Sequence, residues 1–73
     1  MTVTILGQQG EMDEAGIAAL AKRYGGKHLG SGTMLESGER DIEYEFPTGK
    51  GSVFAKQVKA LSGVGKVCWG GMP

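Results

Sequence analysis

Glycine divides this chain into short segments, and that division constrains the fold more than any other feature of the sequence. Fourteen of the 73 residues are glycine, and most of them fall where one hydrophobic pattern stops and the next begins. Glycines in such positions mark the ends of helices and strands. The apolar share of 40% is enough for one core and too high for a disordered chain. A chain of this length therefore makes a single domain.

Six segments between these glycines have the periodicity of a strand or a helix. Alternation or β-branched residues predict strands over residues 2–6, 27–35, 40–46 and 64–69. Apolar residues at helical spacing predict helices over residues 13–24 and 50–61. Asp13 is expected to cap the first helix, and Gly25 with Gly26 to end it. We expect residues 70–73 to form a frayed tail.

The resulting order, β-α-β-β-α-β, resembles the ferredoxin-like, split βαβ arrangement, an α+β fold with two helices on one face of a four-stranded antiparallel sheet. The resemblance implies that the first and third strands are central and that the second and fourth are edges. It implies a core formed by the central strands (Val3, Ile5, Ile42, Tyr44, Phe46) and by the helix stripes (Ile17, Leu20, Ala21, Tyr24 and Phe54, Ala55, Val58, Leu61). The other sheet face is then open to water and carries Thr2, Thr4, Asp41, Glu43 and Glu45.

Several chemistries known on this fold lack their residues here. RNA-binding members stack bases on aromatic side chains of the central strands, and here the outward positions are threonines and acids. The loop after the first strand, Gly7-Gln8-Gln9-Gly10, has neither the two cysteines of metal carriers nor the arginine of acylphosphatases. Gly49-Lys50-Gly51-Ser52 lacks the spacing of a phosphate-binding loop, which favours a simple capping turn over a weak anion site. We therefore expect no cofactor and no metal.

The chain has one histidine, His28, and one cysteine, Cys68. Catalysis would need both residues to converge with a carboxylate, because a general base works only within reach of its partner. We expect no catalytic set, and hence a protein that is not an enzyme. A single cysteine also cannot form an internal disulfide, and neither a membrane span nor a secretory signal is apparent, so we expect a cytoplasmic protein.

Charge divides the predicted molecule into two sides. Asp41, Glu43 and Glu45 would lie about 7 Å apart along one strand face. They form either a solvated strand face or a docking surface for a basic protein, and our candidate contacts are these three acids with Thr2 and Thr4. The basic residues on the second helix and the strand after it are candidates for basic or anion contacts: Lys50, Lys56, Lys59 and Lys66. A two-signed surface with a net charge of zero favours protein partners over polyanions.

The two edge strands offer another route to binding, since unpaired backbone groups can add a strand from a partner. Gly30 and Gly32 in the second strand indicate either a bulge or a close backbone approach. The same edge could instead join two copies of the chain into a homodimer.

In size and character the whole chain, from Met1 to Pro73, is similar to the small RNA-polymerase-binding transcription regulators of phages, of the kind known from a lytic Xanthomonas phage. The resemblance rests on no single motif, and we transfer no binding residues from it. It implies a phage host-takeover factor in the host cytoplasm that binds host RNA polymerase and blocks promoter engagement or causes antitermination. The alternatives are an anti-CRISPR or other anti-defence inhibitor, and a small nucleic-acid-binding module that uses the Lys50–Lys66 side.

Overall fold

The computed structural model describes residues 1–70 and shows a ferredoxin-like α+β fold. Its elements are β1 (Thr2–Gln8), α1 (Glu14–Arg23), β2 (Lys27–Thr33), β3 (Glu39–Glu45), α2 (Lys50–Val58) and β4 (Val64–Gly70). The strand order is β2-β3-β1-β4, and all neighbouring strands are antiparallel. The predicted element order and the central position of β1 and β3 are therefore confirmed. Gly70 belongs to β4, where it lies opposite Thr2, and the rest of the predicted tail lies outside the described residues.

Three element boundaries differ from the prediction by two or more residues, and the other differences are of one residue. β1 continues beyond the predicted residue 6 because Gly7 and Gln8 pair with β3. β2 ends at Thr33 and not at residue 35, since the amide of Met34 donates to the carbonyl of Glu39 at 2.7 Å and begins the turn. α2 ends at Val58 and not at residue 61, because the chain then follows a turn with shorter-range hydrogen bonds.

The ends of α1 follow from local chemistry that the sequence predicted. The Asp13 side chain accepts a hydrogen bond from the amide of Gly16 at 3.0 Å and caps the helix. At the other end, the amides of Gly25 and Gly26 donate back to the carbonyls of Lys22 and Ala21. This is the Schellman pattern, and Gly25 supplies its positive φ of 78°.

The core lies between the two helices and one face of the sheet. All five residues predicted for it on the central strands are buried, together with Ile17, Ala21, Phe54, Ala55 and Val58. Phe54 is fully buried, and its ring centroid lies 4.5 Å from that of Phe46. Leu20, Tyr24 and Leu61 are only partly buried, at the margin of the core. Met12 and Val67, which periodicity did not assign to it, complete the core.

Candidate protein-binding surface

The open face of the sheet presents four carboxylates in a line along β3. We call this line the acidic column; its members are Glu39, Asp41, Glu43 and Glu45. The buried residues Ile42 and Tyr44 and the half-buried Arg40 alternate with them, so the column points away from both helices. Its neighbours on β1 are Thr2, Thr4 and Leu6, which lie opposite Glu45, Glu43 and Asp41. The predicted outward face of β1 and β3 is thus present as one continuous surface.

The end of the acidic column near Met1 is occupied by contacts within the protein. The amino group of Met1 donates to Oε2 of Glu45 at 2.7 Å, and the Thr2 hydroxyl donates to Oε1 at 2.9 Å. The bond from the Met1 ammonium, and then the bond from Thr2, hold the pKa of Glu45 below its ordinary value of 4.5. The Thr4 hydroxyl donates to Oε2 of Glu43 at 3.4 Å. Thr2 and Thr4 therefore position carboxylates, in addition to lying on the predicted contact face.

The other end of the acidic column is unpaired. Within residues 1–70, neither Asp41 nor Glu39 takes part in an ion pair. Both line a shallow hollow of about 410 Å³, together with Leu6, Gly32, Met34 and Thr33. Met34 is 62% exposed, so this end combines uncompensated negative charge with accessible apolar surface. Such a combination is typical of a protein-binding patch more than of an ion site.

The glycines of β2 leave the edge beside the acidic column without side chains. Gly30 and Gly32 lie opposite Glu43 and Asp41 on the open face. The ladder shifts register between His28 and Gly30, which places the bulge at Leu29. The predicted bulge is therefore present just before Gly30, and the two glycines leave this edge without side chains on the open face.

The lysines are not all on the helix side. Lys66 lies opposite Leu6 in the β1–β4 ladder, and the alternation of β4 therefore puts its side chain on the open, acidic face. This corrects the prediction of one basic side that includes Lys66. Lys50 begins α2 and Lys56 is exposed in its last turn. Lys59 follows the helix, with its Nζ 5.6 Å from the centre of the Trp69 ring.

His28 and Cys68 do not come together. His28 packs edge-on against Tyr44, on the helix side of β2, with 5.4 Å between ring centroids. Cys68 is exposed on the open face of β4, opposite Thr4. Three strand spacings, about 14 Å, separate the two edges. The convergence that a His–Cys catalytic pair requires is therefore not present. Among residues 1–70, no group of three His, Cys, Asp or Glu side chains is arranged to hold a metal ion.

A group of polar contacts around Arg40, on the helix side of β2 and β3, was not predicted from the sequence. Nε of Arg40 lies 2.7 Å from Oε2 of Glu14, although the N–H direction does not make this ion pair a hydrogen bond. The guanidinium also donates to Thr33 at 2.9 Å and to Ser31 at 3.4 Å. The alternation of β3 is the signal that places Arg40 on the helix side, but the position of Glu14 depends on how α1 packs.

Comparison with models of protein families, with characterised proteins and with solved structures found no match to this chain. Within residues 1–70, neither helix is long and apolar enough to cross a lipid bilayer. A fold of this kind serves many functions, so function must be inferred from the surface itself.

Proposed function

We propose that this protein is a non-enzymatic regulator that binds a larger protein through the open face of its sheet. The observation that supports this most is the acidic column, which lies on a sheet face that neither helix covers. A line of like charges about 7 Å apart is complementary to a basic protein surface, and such charges steer and orient association.

The proposed partner is bacterial RNA polymerase, in the cytoplasm of a phage-infected host. The resemblance to small polymerase-binding phage regulators supports this choice. Charge supports it as well, because an enzyme that handles nucleic acid carries Lys and Arg surfaces for phosphate groups. By covering such a surface, the acidic column would hinder promoter engagement or change elongation.

The test measures binding of the full chain to purified bacterial RNA polymerase holoenzyme by biolayer interferometry, with promoter-complex formation as the functional readout. The key variant is Asp41→Lys/Glu43→Lys, which leaves Glu45 in place because that residue holds Met1. The matched control is Glu11→Lys/Glu36→Lys, an equal charge change at two exposed residues outside the acidic column.

We expect the key variant to bind at least tenfold more weakly and the control to remain within about threefold of the wild type, since interface charges act over short, screened distances. Equal weakening in both variants would show that net charge alone causes the effect, and would refute the proposal that the acidic column is the binding surface. If the wild-type chain does not bind the holoenzyme at micromolar concentration, the proposed partner is wrong. Affinity capture from an infected-cell lysate that yields a CRISPR effector instead of polymerase would favour the anti-defence alternative.

A further inference from the structure

The β2 edge of the sheet has backbone groups that point away from the rest of the protein. The amide of Met34 donates to the carbonyl of Glu39, so this pair is a hydrogen-bonded one. Hydrogen-bonded and non-hydrogen-bonded pairs alternate along an antiparallel ladder. Gly30 and Gly32 therefore bond to β3, while the N–H and C=O groups of Ser31 and Thr33 point outward.

Lys27 and the bulge at Leu29 protect the start of β2, but the rest of this edge lacks the usual protection against strand addition. Natural edge strands are guarded by charged residues or proline. Residues 28–35 contain no Asp, Glu, Lys, Arg or proline. Leu29 is 51% exposed and Leu35 at the hairpin tip is 95% exposed. The bulge at Leu29 limits regular pairing to the part of β2 that follows it, Gly30 to Thr33. The opposite edge, β4, carries Lys66.

The two glycines connect this edge to the acidic column. A strand added beside β2 would place alternate side chains opposite Gly30 and Gly32, on the open face. Nothing lies within 4 Å of the position that a Cβ on Gly30 would occupy, and Oδ1 of Asp41 lies 3.2 Å from the corresponding position at Gly32. The Asp41 carboxylate thus leans toward the edge, where a long basic side chain crossing Gly32 would meet it.

We propose that the β2 edge binds an extended segment of a partner protein that carries Arg or Lys at two alternate positions. The segment's backbone bonds to Ser31 and Thr33, and its two basic side chains cross Gly30 and Gly32 to pair with Glu43 and Asp41. A second copy of β2 does not supply this chemistry, because Lys27 is the single basic residue of the strand and the binding mode needs two at alternate positions. The inference rests on the proposed function, for which it specifies the binding mode and the partner's chemistry.

The test uses a fluorescent peptide, Ac-Val-Arg-Thr-Arg-Val-NH₂, and measures its affinity for the full chain by fluorescence anisotropy. One control peptide has citrulline in place of both arginines, which keeps the shape and removes the charge. The other carries an N-methyl group on the central threonine, which keeps both arginines and blocks the backbone bond opposite Ser31. Asp41→Asn is the protein variant, and Glu36→Gln is its matched control at the hairpin tip.

We expect Asp41→Asn to weaken binding by up to about fivefold, the upper limit for one exposed ion pair, and the citrulline peptide, which loses two charges, to bind more weakly still. We expect N-methylation to weaken binding at least tenfold, because the ladder cannot form. Ser31→Pro, which removes one outward N–H, should behave like N-methylation while circular dichroism confirms that the variant folds.

Three outcomes would overturn the inference. Equal binding of the N-methylated peptide would mean that the arginines bind by charge alone, without a strand ladder. Equal binding of the citrulline peptide would show that Asp41 and Glu43 do not pair with the peptide's arginines. Dimerisation of the chain alone in sedimentation velocity, abolished by Ser31→Pro, would assign the edge to a second copy. None of these outcomes depends on polymerase, so the peptide assay and the holoenzyme assay fail independently.

Discussion

The amino group of Met1 lies 2.7 Å from Oε2 of Glu45, across the ladder between the two central strands. The ion pair compensates one charge of the acidic column, while among residues 1–70 Glu43, Asp41 and Glu39 have no ion-pair partner. A surface that looks uniform in sequence is therefore asymmetric in the folded protein. Its available negative charge lies next to the exposed apolar residues of the β2–β3 hairpin, Met34 and Leu35.

The Glu45 contact predicts a specific loss of stability in acid. Its pKa in the folded protein is lowered, so the contact contributes fully above the unfolded value of about 4.5 and is lost as the pH falls through the lowered pKa. In urea unfolding between pH 2 and 7, Glu45→Gln should lower stability near neutral pH and flatten the acid limb of the profile. Glu36→Gln, at an exposed turn, should leave that limb unchanged. Identical wild-type and Glu45→Gln profiles would contradict the role of the contact.

Phe54 should be among the most sensitive positions of the core. It is fully buried and packs against Phe46 and Tyr44. Phe54→Ala should destabilise the domain by about 3–5 kcal/mol, most of the stability that so small a protein has. Val53→Ala, on the exposed side of the same helix, should cost less than about 1 kcal/mol. Thermal unfolding of both variants checks this. A loss of stability below about 1 kcal/mol for Phe54→Ala would show that Phe54 does not pack in the core as described.

Local patterns in the sequence were sufficient to predict most of the fold. The alternation in residues 40–46 gave the two faces of β3 correctly, and the helix stripes gave most of the core. The boundaries were less accurate where a long-range contact decides them. Gly7 and Gln8 are strand residues only because Arg40 and Glu39 pair with them from a distant segment.

The candidate surface was predicted in outline and not in its internal pairing. Alternation placed Asp41, Glu43 and Glu45 on one face, but the partners of each carboxylate depend on the β1–β3 register. The pairing of β4 with β1 likewise decides on which face of the sheet Lys66 lies. The position of this lysine in the sequence does not reveal that face. Function stays a prediction, since the fold accommodates many activities.

Two glycines with positive φ make a matched pair for testing close packing. Gly63 has a φ of 78°, and a Cβ there would collide with the carbonyl of Glu11 and the amide of Met12. Gly49 has a φ of 86°, and a Cβ there would meet nothing within 4 Å. Gly49→Ala should cost about 1–2 kcal/mol, from the left-handed backbone alone. Gly63→Ala should cost about 1–3 kcal/mol more, because backbone atoms must move. Equal costs in chemical unfolding would contradict the contact with Glu11.

The last prediction concerns the ionisation of the Tyr44 hydroxyl, on which the Glu14 carboxylate acts. Burial raises the pKa of Tyr44 above 10.0, and the negative charge of Glu14 raises it further. Because the folded pKa is raised, the neutral phenol's contribution to stability is complete below pH 10 and is lost as the pH rises through the folded value. Glu14→Gln should therefore lower the Tyr44 pKa part of the way and leave the burial effect.

A Tyr24→Phe background makes Tyr44 the single tyrosine, so absorbance at the phenolate band follows its ionisation directly. Glu36→Gln removes an equal charge at the hairpin tip and should not move the curve. If Glu14→Gln and Glu36→Gln give the same pKa, Glu14 does not act on Tyr44, and burial alone accounts for its shift.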